Sequence, residues 1–303
     1  MFAGSLLALL WGCGPERPGQ PGQPGQDDEP ERRARDERPR LGFGIISGED
    51  PGLTYKGYQP LIDHLTNRTP FLFRLSLGRD TDDLLRNVEE RMVEVVPLEA
   101  VSYLEAHSQF GAVPLVRPLN REGKSVSYCV FVVRKESPIK SLSDLKGRTL
   151  ALGSFHSTIS NLIARSELMR TGVELDEPAA IEHLDDDEAI ATAVLEGRFE
   201  AGAVGDVVAY RYRDQGLRPF HVSEPVPSAP LVARGDLPPA VFEAIRDALL
   251  ELDLADAEER ESWDETVRYG FAPASDADYD VVRRIVGQVG GACGGSCHSD
   301  VAF

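Results

Sequence analysis

From Leu41 to Val289 the chain alternates two hydrophobic rhythms. Short apolar or alternating runs read as strands: Leu41–Ser47, Phe71–Leu77, Val93–Leu98, Val113–Arg117, Ser127–Arg134, Leu150–Leu152, Ile181–Leu184, Glu200–Val204 and Phe220–Ser223. Between them the apolar positions recur at three, four and seven, the repeat of one helix face. Tyr58, Leu61, Ile62 and Leu65 make one such face, and Leu84, Leu85, Val88 and Met92 another, within a helix expected over Asp80–Met92. Further helices are expected over Ala100–Ala106, Asp186–Glu196 (Ile190, Val194 and Leu195 inward), Val207–Gln215, Pro239–Leu252 (Phe242, Ile245, Leu249 and Leu252 inward) and Tyr279–Val289. Ser137–Gly147 reads as a turn and a short helix. This rhythm predicts an α/β fold. Two lobes, with the chain passing out and back through paired β segments near Val130 and Val222, put a ligand cleft between them. The loops after Ile46, Val96, Leu152 and Val204 leave the carboxyl ends of strands, where open α/β sheets bind ligands.

One segment adds chemistry to the pattern. Arg148–Gly172 reads as a strand (Leu150–Leu152), a turn (Gly153–His156) and a helix whose apolar face is Ile159, Leu162, Ile163 and Met169, stopped by Gly172. Ser157, Thr158 and Ser160 fall in the first turn, where free backbone N–H groups and the positive end of the helix dipole suit an oxyanion. An ordinary N-cap by Ser157 explains the same residues. His156 is either a further donor or a plain loop histidine. Asp206, after a strand, either faces the cleft or caps the helix that follows.

The ends of the chain have a different composition. Met1–Gly12 is apolar and too short to span a bilayer. It leads to Cys13 through Leu10-Trp11-Gly12, which resembles a bacterial lipoprotein signal ending at the acylated cysteine; the alternative is a chance cysteine. Residues 14–40 repeat Pro-Gly-Gln and then carry mixed charge, a composition that cannot bury a core and reads as a tether. A net charge of −18 over 303 residues argues against a nucleic-acid partner but not against a small anion. Cys129 sits in an apolar run and is expected to be a buried free thiol. The tail 290–303 holds Cys293 and Cys297 with His298 adjacent. These fit a local disulfide or free thiols. A covalent haem is an alternative through a C-x-x-C-H-like motif with one extra residue, and a metal site is a third. No Ser-His-Asp arrangement with recognisable flanks, H-E-x-x-H or phosphate-loop motif suggests an enzyme.

Several segments together resemble the phosphate/phosphite/phosphonate-binding proteins of ABC transporters. They are Phe43–Ser47, Tyr58–Leu65, Gly111–Val116, Ser127–Gly153, His156–Thr158, Ala193–Val204 and Ser223–Pro239. The resemblance implies a two-lobed type 2 periplasmic-binding fold, with residues 41–132 and 222–289 in lobe 1 and 133–221 in lobe 2. It implies a monomer outside the cytoplasm that closes on a small anionic ligand and delivers it to a permease, here with a membrane anchor at Cys13 and no cofactor. The family's Ser-Thr-Ser anion run falls on Ser157 and Thr158, with Ile159 in the third place and Ser160 one residue on. Other positions depart. Thr81 stands where the family has tyrosine, Leu98–Glu99 where it has an aromatic or apolar residue and glycine, and Asp187–Glu188 where it has histidine and an acid. If these positions line the cleft, tyrosine-type donors and a histidine are lost and carboxylates are gained. An altered or amine-bearing ligand is then expected; otherwise Glu99 and Asp187 point to solvent. The alternative function is a sensory or redox protein that reuses the fold, with the tail as its haem or thiol site.

Overall fold

The computed structural model describes residues 37–47, 50–174, 177–252 and 254–292. Strand β1 (Arg40–Ile46) leads into helix α1 (Pro51–Arg68), whose start is capped by Asp50 accepting from the Gly52 and Leu53 N–H groups. The buried positions of α1 are Tyr58, Leu61, Ile62 and Leu65, the periodic face. Burying them at about 1.5–3 kcal/mol each outweighs the cost of about 3 kcal/mol for Pro60 inside the helix. Strand β2 (Leu72–Gly78) follows, then α2 (Thr81–Glu89), where Asp80 caps the Asp83 N–H at 2.8 Å. Leu84, Leu85 and Val88 are buried, but Met92 is 67% exposed. The helix ends at Glu89 and Arg91 turns the chain with φ of 63°, so Met92 leaves the face expected for it.

Next come β3 (Val95–Pro97), α3 (Ala100–Phe110) and β4 (Val113–Pro118). The chain crosses through β5 (Val126–Ser127) into β6 (Cys129–Arg134), a single 3₁₀ turn at Leu142–Leu145 and β7 (Thr149–Gly153). A wide π-helical turn, Thr158–Ile163, runs into α4 (Ala164–Arg170), which closes at Gly172 with φ of 75°. Then follow β8 (Ala180–Leu184), α5 (Asp187–Leu195), β9 (Ala201–Gly205), α6 (Asp206–Tyr212) and β10 (Leu217–Val222). The return passes through β11 (Val226–Pro227) to β12 (Leu231–Ala233), α7 (Pro239–Leu250), β13 (Phe271–Pro273) and α8 (Asp280–Ala292).

Two mixed sheets form two lobes. The first has strand order β13-β4-β12-β3-β1-β2, the second β10-β6-β9-β7-β8. Each sheet is covered on both faces, as sheets with buried parallel strands require. Phe43, Leu61, Leu65, Leu115 and Leu249 pack on one face of the first, and Leu84, Tyr103, Val232 and Tyr279 on the other. Phe131, Leu150 and Leu152 belong to one core of the second sheet, and Val130, Ile190 and Val204 to the other. The face expected of the turn and α4 divides between lobes: Ile159 and Ile163 join the second sheet's core, whereas Leu162 and Met169 join the first's. The wider turn accounts for this, because its residues do not stay in the 3.6 register. The two crossings pair with each other. Val130 lies opposite Val222, and Val126–Ser127 opposite Pro227–Val226 in an antiparallel ribbon. Ser223 and Cys129 join these stretches: each donates its backbone N–H to the other, to Cys129 O and Ser223 Oγ, both at 2.9 Å. The Cys129 thiol is free and fully buried, and burial pushes its pKa up.

Candidate functional site

Gly153 ends β7 directly beneath the π-helical turn. A Cβ there would stand 2.0 Å from Ser160 Oγ, so only glycine lets the turn fold back onto the strand. Ser157 caps the turn, its Oγ accepting from the Ser160 N–H at 3.1 Å and lying 2.7 Å from Ser160 Oγ. Thr158 and Ser160 are each 1% exposed. The donors of this turn meet carboxylates. Glu99 Oε2, from the start of α3 in the first lobe, accepts from the Thr158 N–H at 3.3 Å. Thr158 Oγ1 in turn accepts from the Val101 N–H at 3.0 Å. Asp187, at the start of α5, accepts from the Gly205 N–H at 2.6 Å.

Both carboxyls are shifted upward. Desolvation is the main cause for Glu99, then repulsion from Asp187, against the lowering bond from the Thr158 N–H. Desolvation also leads for Asp187, with the Gly205 bond opposing it and Asp186 and Asp206 adding to it. Glu99 is itself exposed, so its carboxylate meets the buried turn from the solvent side.

Among the residues expected at the site, Ser157, Thr158, Ser160 and Glu99 come together, with Asp187. Neither Glu99 nor Asp187 simply points to solvent. Asp206 lies close enough to act on Asp187, and its Oδ1 accepts from the Tyr128 N–H at 3.2 Å at the crossing; Gly205, not Asp206, is the cap residue of α6. Burial raises the Asp206 pKa. Two expected residues turn elsewhere. Glu188 is exposed and pairs with Arg211, which also reaches Glu265 at 3.1 Å. His156 Nε2 lies 3.4 Å from Asp82 Oδ1 on α2, next to Thr81, the first residue of that helix. Val101, Gly205 and Gly153 complete the site through backbone N–H groups or the absence of a side chain, and the sequence offers no side-chain signal for them. Cys13, Cys293, Cys297 and His298 lie outside the described residues. Among the described residues no group of His, Cys, Asp and Glu side chains fits a metal ion, and no helix is long and apolar enough to cross a membrane.

Two lobes built on mixed sheets and crossed twice by the chain, with a donor-rich turn facing the opposite lobe, define the type 2 periplasmic-binding fold of solute-binding proteins. The chain belongs to the family described as ABC transporter, phosphonate, periplasmic substrate-binding protein, whose profile matches residues 43–279. It is thus a transporter's substrate-binding component and not an enzyme. The fold is similar to that of a binding-protein component of an ABC phosphonate transporter from Pseudomonas aeruginosa. That pair has a TM-score of 0.73 and 18% identity over 86% of this chain and 90% of that one. PhnD1 from Prochlorococcus marinus, in complex with methylphosphonate, gives 0.73 and 19% over 84% and 99% of the two chains. A Xanthomonas citri protein bound to chloride gives 0.68 and 23% over 84% and 98%.

Proposed function

We propose that this protein captures a small phosphorus oxyanion, of the phosphate, phosphite or phosphonate class, between its lobes and delivers it to the permease. The observation that carries this reading is the Thr158 contact: the turn's N–H already holds a carboxylate oxygen, at 3.3 Å. A turn that seats one oxyanion has the donors to seat another. Ser157, Thr158 and Ser160 hold the ligand, with Asp187 and Asp206 at its edge, and His156, Thr81 and Glu188 farther out. Lobe 1 is built on the first sheet and lobe 2 on the second, which takes in all of β6 and β10 (Cys129 to Val222), and they close by bending at the paired crossings near Val130 and Val222. Acylation at Cys13 keeps the protein at the outer membrane surface on the tether 14–40, as a monomer.

A second reading concerns the ligand's other end. The charged groups that act on Glu99 and Asp187 are all acidic, a setting that favours a cationic amine on the same ligand. Calorimetry of the full chain against methylphosphonate, inorganic phosphate, an aminophosphonate and sulfate tests both readings. Tight binding of methylphosphonate or phosphate supports the first. Binding of the aminophosphonate alone supports the second. No heat with any phosphorus oxyanion rejects both.

A further inference from the structure

Glu99 is the cap residue of α3, yet its side chain makes no capping bond to its own helix. It reaches instead to the other lobe, where it takes the Thr158 N–H at 3.3 Å. The exchange is reciprocal, since Thr158 Oγ1 satisfies the Val101 N–H in the first turn of α3 at 3.0 Å. With Thr158 1% exposed, no solute reaches it in this state. Asp187 takes the neighbouring Gly205 N–H in the same way.

We propose that Glu99 is a tethered stand-in for the ligand: its carboxylate fills the oxyanion seat of the empty protein, joins the lobes through Thr158, and has to be displaced by any solute that binds. This one residue then sets the affinity threshold of the site. The inference rests on the Ser157–Ser160 turn being the ligand site. Two facts favour displacement over a permanent contact. No cation is among the groups acting on Glu99, so no salt bridge holds it. A tethered group also competes at an effective concentration on the order of millimolar, enough to screen out weak ligands but not strong ones.

The surroundings make the contact sensitive to protons. Asp187 of α5 acts on Glu99, and Asp186 and Asp206 act in turn on Asp187, while His156 of the turn is engaged with Asp82. Desolvation and Asp187 both favour the protonated form of Glu99 in the joined state. Joining therefore strengthens as pH falls through the raised range of Glu99 and weakens above it.

The test uses the full chain as wild type, Glu99→Ala and Glu99→Gln. Small-angle X-ray scattering without ligand reads lobe separation, and calorimetry with methylphosphonate and inorganic phosphate reads affinity. Glu99→Ala is expected to expand without ligand and to bind methylphosphonate about tenfold tighter or more, as removal of a tethered competitor requires. Glu99→Gln keeps an oxygen for Thr158 and is expected to stay compact. Unchanged scattering with unchanged or weaker affinity in Glu99→Ala overturns the proposal. If Glu99→Ala does not fold, Glu99→Ser is read in its place: unchanged scattering with unchanged or weaker affinity overturns the proposal, and expansion with tighter binding supports it. Expansion of Glu99→Ala with no binding of either probe by any form supports the stand-in role and rejects the phosphorus-oxyanion reading.

Discussion

The two helix starts that meet across the cleft are capped in opposite ways. The turn at Ser157 caps itself, Ser157 Oγ taking the Ser160 N–H at 3.1 Å. The start of α3 has no side-chain cap of its own, and its Val101 N–H is satisfied only by Thr158 of the other lobe. One end is complete in any arrangement of the lobes; the other is complete only when they meet. Satisfying a helix cap is worth about 0.5–2 kcal/mol. The joined state thus has a favourable contact that needs no ligand, and the Glu99–Asp187 repulsion opposes it.

The largest effect is expected where both starts depend on one side chain. Thr158→Val leaves the buried Val101 N–H without its acceptor, a loss of about 2–3 kcal/mol. Thermal unfolding should drop by roughly 4–12 °C, at about 2–4 °C per kcal/mol. A change within a degree would mean that the two starts are independent. Gly205→Ala comes next, because its Cβ would stand 3.0 Å from Asp187 Oδ2. Displacing that carboxylate is expected to cost about 1–2 kcal/mol in urea unfolding. Ser157→Ala removes the self-made cap and is expected to cost about 1 kcal/mol, with the interlobe contact kept.

A pH series sharpens the comparison further. Glu99 and Asp187 have folded-state pKa values above their unfolded ones. The folded chain therefore binds more protons, and their contribution to stability is present at low pH and lost as pH rises through the raised values. Asp187→Asn removes one of these groups and relieves the other, so the difference in unfolding free energy between variant and wild type should move in the variant's favour from pH 5 to pH 8. A difference that is flat or opposite in sign would show that the carboxyls are not coupled. The smallest effect is expected for Glu188→Gln. That pair with Arg211 is exposed, and its loss should change stability by less than about 0.5 kcal/mol and leave ligand affinity unchanged.

The sequence carried the strand–helix alternation because buried faces repeat locally. The face of α1 and the helix start at Ser157 were both legible from spacing alone. Strands β12 and β13 were not, since three residues are too few to show a period. Their place in the first sheet is set by partners such as Val96, Val116 and Pro118, distant in the chain. Met92 fell outside its expected face because Arg91 breaks the helix with a positive φ, a bend with no glycine to announce it. Glu99 stood out as a carboxylate at an unusual position. Its contact with Thr158, fifty-nine residues away, depends on how two independently built lobes meet. No local pattern encodes that meeting, which is why the donors of the site could be named while their occupant could not.

The paired crossings have a mechanical consequence. The strands β5 and β11 and the Cys129–Ser223 contacts tie the outgoing and returning chains together by backbone hydrogen bonds. A double strip of this kind flexes about one line far more readily than it shears or swivels. In the closure proposed above, the lobes move like the covers of a book on a stitched spine, with a single angle as their coordinate. A membrane partner reading such a protein receives one variable, open or shut, whatever the chemistry of the solute inside.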